Sequence, residues 1–316
     1  MGGMSPIVVV GAGISGVAAA RELARAGLEV VVLDRGHRVG GRMASRRTDD
    51  RTVDTGASYF TVSEPAFEAV VDDWRDRGLA RPWTDTFAVA EAGQLSGKSG
   101  PVRWAAPDGL RSLVEDLATG LTIREQTVRT VGPGPTVDGQ PAAAVVLAMP
   151  DPQARRLLDP GYVDEINALD DPFAPVLALT ARWAESSWPA VDGVFVTGDP
   201  LVSWIADDGR RRGDGASVLV AHSTPEFAAE HLDAPAEAAP LMTVAVRDLL
   251  GIEAEPVSTQ VHRWTFAKPM GSRDQPFFLG DALVGLCGDA WSPKPRVESA
   301  YLSGRALGQA LSARLA

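Results

Sequence analysis

Apolar positions along this chain change their period several times, and each change predicts an element. Ile7 to Val10 is a run of apolar, mostly β-branched residues, the pattern of a strand buried on both faces. Gly11, Gly13 and Gly16 follow at once, ahead of a helix rich in Ala and Leu that Gly27 is placed to end. Glu29 to Leu33 predicts a second strand, closed by Asp34. Met43 to Arg47 and Thr52 to Asp54 predict short strands about a Thr48-Asp49-Asp50 turn. Ser63-Glu64-Pro65 then predicts a helix start with Ser63 as cap. Phe67, Val70, Val71 and Trp74 share its buried face, and Gly78 ends it.

Thr84 to Gly100 predicts strands around a loose Gly/Ser turn. Asp108 is expected to cap the next helix, whose inward face is Leu110, Leu113, Val114 and Leu117 and whose end is Gly120. Leu121 to Val131 and Ala143 to Met149 predict strands on either side of a Gly/Pro-rich hairpin at 133–141. Segments 175–183, 193–197, 201–206 and 217–222 predict an antiparallel sheet. Glu237 to Leu250 predicts a helix, and Val257 to Phe266 a strand with strong alternation. On that strand His262, Trp264 and Phe266 share one side, while Val261, Arg263 and Thr265 share the other. Leu283 to Cys287 is a last apolar strand, before Gly288-Asp289 and a helix from about Val297 whose small residues permit close packing.

Composition narrows the partners. A chain of 316 residues with 45% hydrophobic and 22% charged content describes a soluble globular protein long enough for two domains. Its net charge of −11 argues against nucleic acid or an anionic membrane surface as partner. Cys287 is the single cysteine, which excludes an intrachain disulfide and accords with a cytoplasmic setting. Met1 to Pro6 carries no Lys or Arg, so the apolar start is not read as a secretory signal, and no stretch approaches the ~20 apolar residues of a membrane span. His37, His222, His231 and His262 lack metal-ligand spacing, so no metal is expected. C-x-x-C, G-x-S-x-G and P-loop patterns are absent as well.

The first strand, its glycines, the helix, the second strand and Asp34 together make a dinucleotide-binding fingerprint within about thirty residues. Gly11 allows the tight turn, Gly13 the approach of a pyrophosphate and Gly16 close helix–sheet packing, while Asp34 is placed to meet a ribose. Gly40-Gly41-Arg42 follows directly. Adjacent glycines let the chain pass close to a dinucleotide, and a guanidinium engages diphosphate oxygens in a fork.

This stretch resembles the glutathione-reductase-like FAD domain of the flavin amine oxidase superfamily. The resemblance implies FAD contacts from Gly11, Gly13, Ile14, Ser15, Gly16, Asp34, Arg35, Gly41, Arg42, Met43 and Ala57. It implies that the backbone of Val128 meets adenine and that Asp289, after Gly288, accepts from a ribityl or ribose hydroxyl. Arg296, Val297, Glu298 and Ala300 would complete the second contact, with a helix N-terminus stabilising the anionic reduced flavin.

More of the chain is similar to the bacterial side of the renalase family. The blocks are V-D-T-G-A-S-Y-F at 53–60, V-S-W-I-A at 202–206, S-V-L-V-A-H-S-T-P-E at 217–226, H-R-W-T-F-A-K-P at 262–269 and C-G-D…R-V-E-S-A-Y-L-S-G at 287–304. That resemblance implies an α/β FAD-binding domain with a p-hydroxybenzoate-hydroxylase-like, antiparallel-sheet substrate domain. The FAD domain would comprise 1–62, 104–150 and 270–316, and the substrate domain 63–103 and 151–269. The implied reaction is oxidation of 2- or 6-dihydro isomers of NAD(P), by hydride transfer to flavin N5, with electrons passed to O2 to give NAD(P)+ and hydrogen peroxide.

Such a site needs flat walls and a few hydrogen bonds, because the oxidised ring becomes aromatic without loss of a proton. Tyr59, Trp204, His262, Trp264 and Trp291 are its aromatic candidates, and Arg263 is the candidate for a substrate phosphate or carboxamide. Core packing is the competing reading of each Trp. Asp34 stands where the family uses Glu, and Ser299 where Gly is common. The charged stretch from Asp207 to Gly215 is expected to be a loop that gates or reshapes the substrate mouth. Two alternatives stay open: a flavin amine oxidase or dehydrogenase acting on a small amine, and a flavoprotein without enzymatic activity.

Overall fold

A computed structural model of the chain describes residues 5–48 and 51–316, so Asp49 and Asp50 of the expected turn lie outside the described residues. The α/β chain divides into two compact units. One comprises the chain up to Arg42, Val114–Phe173 and Pro269–Ala316; the other comprises Met43–Leu113 and Ala174–Lys268. Segments 43–62 and 104–113, assigned above to the cofactor domain, fall in the second unit, and 151–173 falls in the first.

The first unit is built on a sheet whose described strands run in the order Phe278–Leu279, Val284–Leu286, Ala144–Leu147, Ile7–Val10, Val30–Asp34 and Thr122–Glu125. Neighbours are parallel except for the outermost Phe278–Leu279. Ile7–Val10 is buried along its whole length, as an apolar run flanked on both sides should be. Strand order reverses about it, with Ile7 registered on Ala144 on one side and on Val30 on the other. In open parallel sheets ligands bind at that reversal, beyond the carboxyl ends of the strands.

Helices Ile14–Arg25 and Val297–Leu315 lie against each other in this unit. A side chain at Gly304 or Gly308 would run into the backbone of Ser15 or Ala19, so these glycines set the close approach. The strand expected to reach Val131 ends at Glu125. Three short strands, Val131–Gly132, Thr136–Val137 and Gln140–Pro141, then make the anticipated Gly/Pro-rich hairpin region.

The second unit carries a larger sheet, ordered Ser258–Pro269, Phe173–Arg182, Val218–Ser223, Val202–Asp207, Gly193–Thr197, Arg81–Glu91 and Gln94–Ala105 among the described residues. Gly193–Thr197 runs parallel to Arg81–Glu91, whereas its pairing with Val202–Asp207 is antiparallel. Within the segment from Thr84 to Gly100 the hairpin turn falls at Ala92-Gly93, where both residues have positive φ, and the glycines and serines that follow lie inside the strand.

Two helix starts also differ from expectation. Glu64, not Ser63, stands at the cap of Pro65–Asp76. The helix Leu110–Leu117 takes its N-terminal partners from a distant strand: Leu110 N donates to Asp54 Oδ1 (3.1 Å) and Arg111 N to Ser45 Oγ (3.3 Å), while Asp108 is exposed. Ser45 itself bonds to Asp54. The orphan amides of a helix accept whichever carboxylate the fold brings, and here a buried acid from the preceding hairpin prevails.

Candidate active site

The cradle of the first unit grows from the strand–glycine–helix turn. Gly11 adopts φ +108°, and a Cβ there would press on the carbonyl of Ala148, so only glycine keeps this turn. Gly13 occupies the cap of helix Ile14–Arg25 with no side-chain hydrogen bond to the first turn, which carries no acidic residue. The first-turn amides around Ile14, Ser15 and Gly16 are therefore available to an anion, and the helix dipole favours one.

The following loop closes over this turn. Gly40 N donates to Ala12 O (2.9 Å), and a Cβ at Gly41 would lie 3.2 Å from the Cα of Gly13. Asp34 ends its strand with both oxygens already oriented: Oδ2 accepts from Ala12 N and Oδ1 from Gly36 N, each at 2.7 Å. Each oxygen keeps a further lone pair for a ribose hydroxyl. Asp34 thus keeps acceptor capacity at the end of its strand.

Two distant segments of the first unit meet at the carboxyl ends of its strands. Arg42 Nη2 lies 2.6 Å from Asp289 Oδ1 and Nη1 lies 2.9 Å from Oδ2, a fork joining the two residues expected on diphosphate and ribityl hydroxyls. The Arg42 guanidinium also lies 5.5 Å from the Phe173 ring centre. Gly288 N donates to Ser303 Oγ (3.0 Å), which ties the loop to the last helix. At that helix start Arg296 N donates to Ser299 Oγ (2.8 Å), so the serine that departs from the family pattern closes the first turn. Arg296 pairs with the buried Glu298 at 2.6 Å, Val297 begins the helix, and Ala300 is buried behind it. Val128 is buried, Arg35 is exposed, and Met43 and Ala57 belong to the second unit.

Trp291 and Cys287 belong to the packing of the first unit. Trp291 is buried with the guanidinium of Arg273 4.4 Å from its ring centre. Burial pushes the Cys287 thiol up to about 12, against a smaller opposing effect from Ser15, and an inert core thiol results.

The substrate-wall candidates divide into two groups within the second unit. His262 and Trp264 share a strand face, as alternation demands, with ring centres 4.6 Å apart and planes near perpendicular. Trp264 Nε1 donates to Thr55 O (2.9 Å), which fixes the indole. His262 is held to about 4, first by burial and then by the charges of Arg46 and Arg263, so its imidazole is neutral at physiological pH. Trp204 and Tyr59 form a different cluster with Trp83 and Phe87. Trp204 Nε1 donates to Ser58 Oγ (3.0 Å), and its ring lies 5.8 Å from Tyr59 and 4.8 Å from Phe87. Arg263 lies on the opposite strand face and donates to Leu232 O (2.6 Å), away from the His262–Trp264 pair.

The charged stretch 207–215 is not an open loop. Asp207 caps a short helix, Asp208–Arg212, by accepting from Arg210 N (2.8 Å), and Gly213 ends it in the left-handed conformation. Asp208 is fully buried, pairs with Arg211 and Arg212 one turn on, and takes Arg51 at 2.7 Å. Arg211 continues to Ser58 O (3.2 Å) and Arg212 to Pro107 O (3.0 Å). Spacings of i,i+3 and i,i+4 between Asp208 and its arginines were the available signal. Arg46, beside His262, carried no local signal at all.

Among the described residues no helix is long and apolar enough to cross a membrane, and no group of three or more His, Cys, Asp or Glu is placed to hold a metal. The reversed strand order, the uncapped helix start and the closely passing glycines define a dinucleotide-binding protein of the Rossmann-like class, and these residues fit FAD. The NAD(P)-binding Rossmann-like domain profile matches residues 9–74.

The profile described as flavin containing amine oxidoreductase matches residues 77–311, and the chain belongs to that family of FAD-dependent oxidoreductases. It is 42% identical over 67 residues to protoporphyrinogen oxidase 2 of Arabidopsis thaliana, covering 21% of this chain and 13% of that protein. It is 40% identical over 106 residues to flavin-containing amine oxidase B of Homo sapiens, covering 32% and 19%. The chain thus matches under a fifth of the length of these relatives. Cyclohexylamine oxidase from Brevibacterium oxydans IH-35A superposes with TM-score 0.78 at 14% identity, covering 99% of this chain and 100% of that one. A putrescine oxidase bound to putrescine gives 0.70 at 16%, covering 99% of each. At such identities the likeness concerns the fold.

Proposed function

We propose that this chain is an FAD-dependent oxidase of the renalase type, acting on the 2- or 6-dihydro isomers of NAD(P). The glutathione-reductase-type FAD domain would be the unit that carries the cradle, and the p-hydroxybenzoate-hydroxylase-like substrate domain the unit with the larger sheet, in the cytoplasm. One observation carries the substrate class. The aromatic pair His262–Trp264 is uncharged, and the charges acting on His262 are those of Arg46 and Arg263.

When bound, FAD would supply two-electron chemistry, taking a hydride from the donor and returning its two electrons and its proton, with a second proton from solvent, to dioxygen as hydrogen peroxide. In the cradle, the first-turn amides after Gly13 hold the diphosphate and Asp34 a ribose, while Arg42 and Asp289 exchange their mutual fork for diphosphate and ribityl groups. In the second unit the indole of Trp264, fixed through Thr55, offers a flat wall to the dihydropyridine. Neutral His262 offers a ring N–H or lone pair to the carboxamide, and is not required as a base because the ring loses only hydride.

The second reading is a flavin amine oxidase or dehydrogenase acting on a small amine. The amine oxidoreductase profile and the similarity to amine oxidase B favour it. Against it, an ammonium substrate at the aromatic pair would meet like charge at Arg46, which raises the cost of its approach.

Anaerobic stopped-flow reduction of the yellow holoenzyme separates the two. Rapid bleaching by a 2- or 6-dihydro isomer, with peroxide released on admission of oxygen, is the expected result. Bleaching by amines and by neither dihydro isomer would reverse the ranking, and stoichiometric FAD that no donor reduces would leave a flavoprotein without this activity.

A further inference from the structure

We infer that Arg46 is the residue by which this protein selects a phosphate-bearing substrate, pairing with a phosphate of the molecule whose ring lies against His262 and Trp264. The inference deepens the proposed oxidase reading and borrows from it the position of the ring.

The placement follows from a strand pair. On Ser45–Thr48, Ser45 is buried and bonded to Asp54, so its neighbour Arg46 points the other way and is exposed. Thr48 Oγ1 donates to Gln260 Oε1 (3.0 Å), which holds this strand alongside Ser258–Pro269 two residues from His262. Of the charges acting on His262, that of Arg46 is the larger and that of Arg263 the smaller. Arg263 is committed to Leu232 O on the other face. Arg46 is thus the guanidinium available on the side of the aromatic pair.

Among the described residues no carboxylate pairs with Arg46, whereas Arg51, Arg210, Arg211 and Arg212 of the same unit each hold one. In a chain of net charge −11, carboxylates are plentiful, and an exposed arginine on a strand held alongside that of His262, paired with none of the described carboxylates, is open to an external anion. A planar guanidinium matches two phosphate oxygens at once. The anion adjoining a flat ring in the proposed substrates is the 5′-phosphate of the nicotinamide ribose.

The test uses holoenzyme of the wild type, Arg46→Gln, Arg46→Lys and, as an equal change of charge at an exposed hairpin position, Lys98→Gln. Flavin reduction is followed with the 6-dihydronicotinamide dinucleotide, mononucleotide and riboside, and binding of unreactive β-NAD+ is followed by calorimetry. For Arg46→Gln we expect an apparent affinity for the two phosphate-bearing donors lower by about tenfold or more, with the limiting rate nearly unchanged and the riboside unaffected. Arg46→Lys should recover part of the loss, and Lys98→Gln should match the wild type.

If no donor reduces the flavin of any variant, the oxidase reading fails. A tenfold weaker binding of β-NAD+ by Arg46→Gln would still support the assignment. Equal weakening of the riboside, unchanged binding of every phosphate ligand, or loss of FAD from Arg46→Gln would each overturn it.

Discussion

Arg42–Asp289 in the first unit and the group around Asp208 in the second use the same side chains for opposite ends. Arg42 and Asp289 keep 28% and 15% of their side chains exposed and meet each other in a fork. Asp208 is 0% exposed and gathers Arg51, Arg211 and Arg212. A part-exposed pair exchanges partners cheaply, because water covers the intermediate arrangements. A buried carboxylate among three guanidinium groups has no such freedom, since removing one partner strands charge in a dry interior. The first pair is therefore suited to a ligand and the second to architecture.

The largest expected effect tests that division. Asp208→Ala leaves Arg51, Arg211 and Arg212 without their shared carboxylate and should destabilise the protein by about 3–5 kcal/mol in urea unfolding. Asp289→Ala should cost less, about 1.5–3 kcal/mol in the same measurement, because it removes one hydrogen-bonded partner of a part-exposed pair. Equal losses in the two variants would erase the distinction.

Glycines of the cradle sharpen it next. A Cβ at Gly13 would meet only the Cα of Gly41, at 4.0 Å, whereas one at Gly16 would collide with the carbonyl of Gly11 and crowd Ala148. Gly13→Val should therefore keep the fold and lower FAD affinity by at least about a hundredfold, ~2.7 kcal/mol, through the ligand alone. Gly16→Ala should lower thermal stability of the apoprotein as well. FAD content and apoprotein melting, measured together, check both; a Gly13→Val protein that remains fully yellow would show that the motif is architectural.

These cases also explain what was legible beforehand. Strand, glycines, helix and Asp34 were readable because each backbone requirement is met by contiguous residues. The helix at Leu110 was assigned the wrong cap because Asp54 reaches it from 56 positions away. The stretch 207–215 reads as a charged mouth loop because its charge density is local while Arg51, 157 positions from Asp208, is not. His262 and Trp264 were paired correctly by alternation. The same rule already put Arg263 on the wrong face for the role it was given, and Arg46 became visible only once two strands were seen side by side.

Within the cradle, Arg42→Met should weaken FAD binding about tenfold, ~1.4 kcal/mol, in line with the loss of a charged hydrogen-bonding partner. Stability of the apoprotein should move much less than in Asp208→Ala. Unchanged FAD affinity would mean that Arg42 serves only to hold Asp289.

The smallest effect concerns the histidines of the second unit and distinguishes their burial from catalysis. His222 is lowered to about 3, first by burial and then by Lys268, against an opposing hydrogen bond with the Thr55 backbone and with a smaller push from Arg211; His262 is lowered to about 4. Between these values and the ordinary 6.5 the unfolded chain binds more protons than the folded one. Their contribution to stability is therefore complete above about 6.5 and lost as pH falls toward 4 and then 3. Asp207 and Asp151, raised mainly by burial, act in the opposite sense, so the histidine part must be read by difference. The urea midpoint should fall on acidification from pH ~7 to ~5, and His222→Asn should flatten that slope. Over the same interval the limiting rate of flavin reduction should show no inflection near 6.5, because His262 stays neutral throughout. An inflection there would mean that its imidazole is solvated and ionising, and the uncharged face on which the substrate assignment depends would be lost.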